Sequence, residues 1–519
     1  MSLLKTLGVL GLSLSFSAGA LAAKEEVDAP ISKEDLFGLG PEKVTEPATE
    51  KTPVMVEPLP TSKDALFADE PVANAPAASI VAEPAKPEAV LPDSKAALFD
   101  EPVMPAKPAV AKAPEKSRLR GTLQTEFART FANPDHGTKL LGRLDVSSQG
   151  RLQGGAQWKL SGRVNYNAIY DVSSYYQPQV RDDQRLEFEL RENYVDFSAG
   201  DLEWRLGRQN IVWGEMVGMF LADVVSAKDL REFILPDFQV LRIPQWAART
   251  EHFSGDFHAE AVWIPFPSYD LIGKPQDFTN PNGSGADFYP YPPVAFPFTI
   301  QKEVKPSTGL NHTNFGVRLS QLSNGWDMSG FYYTSMNNAA TFYRVAPNVY
   351  QPRHDRIWQL GGSVAKDLGP VVLKAEAVYT HGRRFNLQTN LVDADGVVEQ
   401  PMLDWAVGLD FNPDTDTRMN VQFVQSVIFD HDADILPDRV ENGMSLLVSR
   451  ALTNQVRAEL LLMSSLNRSD WLIRPKVSWN FQPNWKATFG VDVFHGPADG
   501  YFGQYDQQDR VYADVRYDF

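Results

Sequence analysis

From Arg118 onward the chain is written in segments of roughly 10 to 14 residues in which apolar and polar side chains alternate, the period of a strand with two unlike faces. In KLSGRVNYNAIY, Leu160, Gly162, Val164, Tyr166, Ala168 and Tyr170 share one face, and Lys159, Ser161, Arg163, Asn165 and Asn167 the other. In WKATFGVDVF, Trp485, Ala487, Phe489, Val491 and Val493 face away from Lys486, Thr488 and Asp492. A soluble β-sandwich and a transmembrane barrel both use such strands. Length favours the barrel, because crossing hydrocarbon takes about 9 to 11 tilted residues against roughly 5 to 6 in a soluble strand. Aromatics at segment ends, such as Trp158 and Tyr170, Trp471 and Trp479, or Trp485 and Phe494, suit interfacial girdles. Tight turns alternate with long connections. The tight ones fall near 151–154, 199–201, 255–256, 323–325, 367–370, 412–416, 453–454 and 483–484, with nine longer connections between and around them. Short turns on the periplasmic side then give an all-β fold, a transmembrane antiparallel barrel of 18 strands over residues 118–519, or 16 if one hairpin is misread.

The closing text RVYADVRYDF alternates in the same way. With Tyr517 and the aromatic Phe519 it resembles the C-terminal strand signal that the barrel-assembly machinery of Gram-negative bacteria reads. At the other end, Lys5, an apolar run from Leu7 to Phe16 and the small residues up to Ala22 have the layout of a cleaved secretory signal, residues 1–22. The expected location is therefore the outer membrane, with lipid as surroundings. The chain contains no Cys, which excludes a disulfide framework and lipidation at a terminal cysteine.

Residues 23–117 have a different composition. Between 24 and 117 there are 15 Pro, 10 Lys and 18 Asp and Glu, and the aromatics are Phe37, Phe67 and Phe99. Such text buries too little apolar surface to offset chain entropy and reads as a disordered periplasmic arm. All three aromatics lie in a repeated hexapeptide: SKEDLF from Ser32, SKDALF from Ser62 and SKAALF from Ser94. The pairs Leu36-Phe37, Leu66-Phe67 and Leu98-Phe99 are candidate anchors for a periplasmic or inner-membrane transporter partner, three weak contacts on one tether. The alternative is a tandem duplication in an indifferent spacer. A net charge of -17 with no basic stripe excludes nucleic acid as a partner.

The stretches WRLGRQNIVWGE, DVVSAKDLREFILPD, LRIPQWAAR and AVWIPFPSYDLIGKPQDF resemble a proteobacterial outer-membrane family catalogued only as a domain of unknown function. The resemblance spans residues 118–519, its most specific text lying between Trp204 and Phe278. It implies a barrel, often encoded near large inner-membrane exporters of hydrophobic molecules, and hence transport of lipids or other apolar compounds. It supplies no site residues.

Where the alternation breaks, GEMVGMFLADVVSAKDLREF places Val224, Val225, Leu230 and Phe233 for one face of a short helix, with Lys228, Asp229, Arg231 and Glu232 clustered. Such a helix would constrict the lumen or cover the barrel rim. Phe278, Phe288, Tyr289, Tyr291, Phe296 and Phe298 would line an apolar entry or pack into a lid. Asp430, Asp432, Asp434, Asp438 and Glu441 occupy positions of a calcium-loop template, but Ile435 stands where that template needs Gly, so a plain acidic loop is the competing reading. Alternation turns Arg163, Glu187, Glu189, Arg191, Asp492 and Arg516 toward the lumen, as in barrels of any function. No nucleophile elbow, zinc helix or phosphate loop is present, and no cofactor is expected. The expected function is a channel or transporter for a small hydrophobic molecule, not an enzyme. A sealed scaffold that displays the arm, and an outer-membrane esterase or lipase, are the competing readings.

Overall fold

A computed structural model describes residues 118–519 apart from 217, 219, 281, 291–297 and 389–394. The proposed signal, the arm and the three hexapeptides lie outside the described residues.

Eighteen antiparallel strands close into one barrel. The first five are β1 (Arg118–Thr130), β2 (Gly137–Arg151), β3 (Gln157–Asn167), β4 (Leu186–Ala199) and β5 (Leu202–Gln209). After a long insertion come β6 (Gln245–Ser254), β7 (Phe257–Phe266), β8 (Asn314–Ser323), β9 (Trp326–Met336), β10 (Arg356–Asp367), β11 (Val371–His381) and β12 (Met402–Asp414). The ring continues through β13 (Thr417–Ile428), β14 (Val440–Ala451), β15 (Val456–Ser465), β16 (Trp471–Gln482), β17 (Trp485–His495) and β18 (Arg510–Asp518). Each strand pairs with its sequence neighbours, and β18 pairs with β1 from Thr122↔Asp518 to Thr130↔Arg510. Closure removes every sheet edge, which a lipid environment demands. Among the described residues no helix is long and apolar enough to cross a membrane; the strands do so.

The eight tight turns and nine long connections stand where the alternation put them. The turn Asn324-Gly325 shows why that chemistry is legible: both residues have positive φ, 50° and 76°, as a two-residue hairpin turn requires. Outward positions are apolar and exposed, Phe188 by 75% and Phe489 by 59%. An exposed belt of this kind around a closed barrel is a lipid-facing surface. Aromatics gather at both ends of it. Trp479, Phe481, Trp485 and Tyr517 form a chain of ring contacts of 4.7 to 6.0 Å near the turns. Tyr332, Trp358, Tyr379 and Phe429 do the same near the loops, at 5.6 to 6.2 Å.

The long connections carry their own structure. Thr299–Ile300, Thr341–Ala346 and Val349–Arg353 form a small three-stranded sheet. Ile169, Tyr170, Tyr176 and Val180 pack with Ala286 into a satellite core.

Candidate functional site

The connection from β5 to β6, residues 210–244, folds into the barrel and is held from opposite walls. On one side Glu376 of β11 accepts backbone N–H bonds from Glu215, from Met216 at 2.8 Å and from Ala222 at 3.0 Å. Trp213, 1% exposed, donates its indole N–H to Glu260 of β7 at 3.1 Å and packs against Phe331 and Tyr333 of β9. The wall makes room for it: a Cβ on Gly316 of β8 would lie 2.7 Å from the Trp213 ring and 2.6 Å from the Tyr333 ring. Gly316→Val is therefore expected to expel Trp213, read as a red shift of tryptophan emission together with a lower unfolding temperature.

On the far side Arg474 of β16 donates to the carbonyls of Ile234 and Leu235 at 3.3 and 2.7 Å. Phe233 enters a cluster with Leu472, Phe494, Phe502 and Tyr505. Between these anchors Arg231 pairs with Asp229 and with Glu187 of β4, both at 2.5 Å. Glu232 lies 2.5 Å from Lys139 of β2 and 3.7 Å from Arg510 of β18.

The segment contains no helix at Val224 to Phe233, which corrects the sequence expectation. Ala227–Lys228 instead runs extended beside Arg242–Ile243. Phe233 has a φ of 55°, the left-handed region, where a helix cannot continue. The apolar residues do not share a face: Val225 joins the cluster of Ile211, Trp213 and Tyr333, while Phe233 joins the one across the lumen.

Two cavities remain beside the segment, of about 50 and about 130 Å³. The smaller, toward the loop ends of the strands, is lined by Asn165, Asn167, Glu187, Asp229, Arg231 and Glu232 among others. The larger lies toward the turn ends and takes Glu126, Leu461, Met463, Lys476 and Arg516 among others. Lys139, Arg143, Pro236 and Val240 line both, so the Lys139–Glu232 pair stands where the two meet. Burial alone would raise the Glu232 carboxyl, but Lys139 and Arg510 hold it below the ordinary carboxylate range. Replacing Glu232 by Gln removes one negative charge beside the path and leaves Lys139 with Glu126, at 3.0 Å, and Arg510 with Asp492, at 2.8 Å, as their remaining carboxylates. The expected result is a severalfold rise in chloride over potassium permeability, read from reversal potentials in a salt gradient.

The sequence-named residues are placed as follows. Lys228 is bound within the segment, its ammonium donating to the carbonyls of Asp223 and Ser226. Asp229, Arg231 and Glu232 line the smaller cavity. Arg163 lies inside the barrel, paired with Asp145 at 2.7 Å. Arg191 pairs with Glu189 and donates to the Gln239 carbonyl at 2.8 Å. Asp492, fully buried, bridges Arg474 and Arg510 at 2.7 and 2.8 Å, and Arg516 pairs with Asp518. Phe519 exchanges backbone hydrogen bonds with Gly121 of β1, and Tyr517 lies on β18. In the aromatic loop Phe288 joins the Phe233 cluster, Tyr289 contacts Phe342, and Phe278 contacts Phe298; Tyr291 and Phe296 lie outside the described residues. Sequence reasoning missed Lys139, Glu376, Arg474 and Arg510, which had no signal beyond a polar residue at an inward strand position.

The five residues of the calcium template do not converge. Among the described residues the one His and carboxylate group with metal-ligand spacing is Glu251, His258 and Glu260. Asp438 and Glu441 both pair with Arg468. Arg249 already serves the other group, 2.5 Å from Glu251 and 3.3 Å from Glu260.

The outer loops are clamped at His136, stacked on Tyr175 at 3.6 Å and 3.0 Å from Asp287, which also accepts from Tyr176 at 2.8 Å. Burial lowers the imidazole pKa, but Asp287 and the Pro134 carbonyl outweigh it and Arg129, leaving it above its usual 6.5. The clamp's stability is thus complete below that value and lost as pH rises through the raised one. Limited proteolysis of the loops is expected to accelerate as pH rises above about 6.5 through the raised value.

These features define a class: a closed transmembrane barrel of 18 strands whose lumen is narrowed by one in-folded connection. Residues 130–519 match the model of the family described as protein of unknown function (DUF1302), and the chain belongs to that family. No curated protein matches it. Among solved structures it is similar in fold to OccAB1 of Acinetobacter baumannii, at 10% identity and a TM-score of 0.47, over 78% of this chain and 96% of that one. OccAB4 of the same organism gives 9% and 0.46, over 78% and 98%. Salmonella typhi OmpF, solved with daunomycin, gives 10% and 0.39, over 78% and 97%.

Proposed function

We propose that the protein is an outer-membrane conduit for a small hydrophobic or amphipathic molecule, with the 210–244 segment setting what passes and the arm docking a periplasmic or inner-membrane partner. The observation that carries the first part is the pair of adjoining cavities past Lys139 and Glu232, flanked by a segment tied to opposite walls. A segment anchored by charge-assisted bonds gives a fixed aperture. The larger cavity combines Ile234, Leu235, Leu461 and Met463 with charged side chains, which suits a solute with one apolar part and one polar part. No chemical step is assigned to it.

Single-channel recording of the full chain in planar bilayers tests the conduit. Discrete openings that enlarge when residues 224–236 are replaced by a short Gly-Ser linker support it, and a sealed barrel under all conditions overturns it. The arm has its own readout: alanine at all three Leu-Phe pairs is expected to abolish co-purification of the partner while conductance stays unchanged.

A further inference from the structure

Two cations line both cavities, Lys139 and Arg143, and they differ in their surroundings. Lys139 lies 3.0 Å from Glu126 and 2.5 Å from Glu232. Arg143 is 7% exposed, and among the described residues its hydrogen-bond partners are amides and not carboxylates. Its Nε donates to Asn165 Oδ1 at 2.9 Å, its Nη1 stands 3.5 Å from Gln124 Oε1, and its Nη2 has no acceptor among the described residues. The cations around it are already served: Arg474 and Arg510 by Asp492, Lys476 by Glu459 at 3.1 Å, and Arg516 by Asp518. Glu232, which lines the smaller cavity with Arg143, is held by Lys139 and faces Arg510 at 3.7 Å.

The strand register makes this a property of the wall. Gln124 of β1, Arg143 of β2 and Asn165 of β3 are directly paired across the sheet, and alternation turns all three inward. Two positions along, Asp145 of β2 stands opposite Arg163 of β3 and pairs with it at 2.7 Å. Gln and Asn have the shapes of Glu and Asp, so the wall has room for a counter-charge on either side of Arg143 and carries none. Asn165 is itself fixed, its Nδ2 donating to Glu189 at 3.0 Å, which leaves its oxygen for the guanidinium. A buried guanidinium without an ion-pair partner is costly, and an anion supplied from outside removes that cost.

Resting on the conduit reading above, we infer that Arg143 is the head-group anchor of the larger cavity and that its ligand is a single-chain monocarboxylate. The carboxylate accepts from Nη1 and Nη2, in place of the long contact to Gln124. The apolar chain lies against Ile234, Leu235, Leu461 and Met463, which line the same cavity. One cation without an ion pair matches one carboxylate. A phosphate monoester brings about 1.5 to 2 negative charges at pH 7 and leaves part of that charge unneutralised.

The test titrates the full chain in phosphatidylcholine nanodiscs with sodium octanoate by calorimetry, with protein-free nanodiscs subtracted. Saturable binding is expected, tighter than that of octan-1-ol by about tenfold and tighter than that of octyl phosphate. Arg143→Gln is expected to weaken octanoate by about tenfold and leave octan-1-ol unchanged. Gln124→Glu keeps the guanidinium and the local shape and adds the missing carboxylate; it is expected to weaken octanoate as much while raising the unfolding temperature, so that lost binding there does not come from misfolding. Octanoate bound no tighter than octan-1-ol, or unaffected by either substitution, overturns the anchor, and tighter binding of octyl phosphate overturns the assignment to a carboxylate. Conductance of the same proteins is recorded in planar bilayers. A barrel that never conducts overturns the conduit reading, while octanoate binding still decides the anchor.

Discussion

Asp492→Ala is expected to be the most damaging single substitution in the barrel, costing about 3 to 5 kcal/mol because it strands two buried guanidinium groups. The Asp492 side chain is fully buried and receives Arg474 Nε at 2.7 Å and Arg510 Nε at 2.8 Å. Arg510 is itself 4% exposed. The damage extends beyond the wall, since Arg474 also holds the Ile234 and Leu235 carbonyls and Arg510 faces Glu232. Loss of heat-modifiable mobility at a lower temperature would register the stability change, and noisy, enlarged openings would register the loosened segment. Asp492→Asn keeps the shape and one acceptor oxygen, and should fall between the native protein and Asp492→Ala. Equal unfolding temperatures for the three proteins would show that the two arginines find other partners.

Glu376→Ala addresses the opposite anchor. One carboxylate, on a side chain from a residue 3% exposed, takes the N–H groups of Glu215, Met216 and Ala222. Hydrogen bonds to a charged acceptor contribute about 1.5 to 3 kcal/mol each, and buried N–H groups left without a partner add a penalty. The segment should therefore detach locally while the closed ladder of strands persists. The expected signature is a severalfold increase in conductance with little change in the temperature at which the barrel unfolds. A large fall in that temperature with unchanged conductance would make Glu376 a determinant of the wall and not of the aperture.

The contrast between these anchors and the strands shows which physics is local. Leu160 and Arg163, or Phe489 and Asp492, reveal their opposite faces within a few residues, because strand period and lipid exposure act on neighbouring positions. Turn chemistry at Asn324-Gly325 is equally local. Segment 210–244 obeys a different rule: Val225 and Phe233 are apolar for two clusters on opposite walls, so spacing that resembled one helical face recorded two separate destinations. Glu376 looks like any inward polar residue until the three N–H groups it serves, more than 150 positions earlier, are brought to it. Asp492 was legible as lumen-facing, but its arginine partners were not, since sequence alone gives no register between non-neighbouring functions of inward charges.

That separation along the chain also sets an order in time. The carbonyl of Ile234 waits for a guanidinium 240 positions later, and Glu232 for Arg510 on the last strand. Contacts of such long range form late, after the entropy of closing the intervening chain has been met. While the wall is being laid down strand by strand, the segment destined to narrow it has one side to hold and nothing opposite. The aperture is therefore finished only when the ring is, and an assembly stalled before β16 would leave in the membrane a wide, ungated mouth.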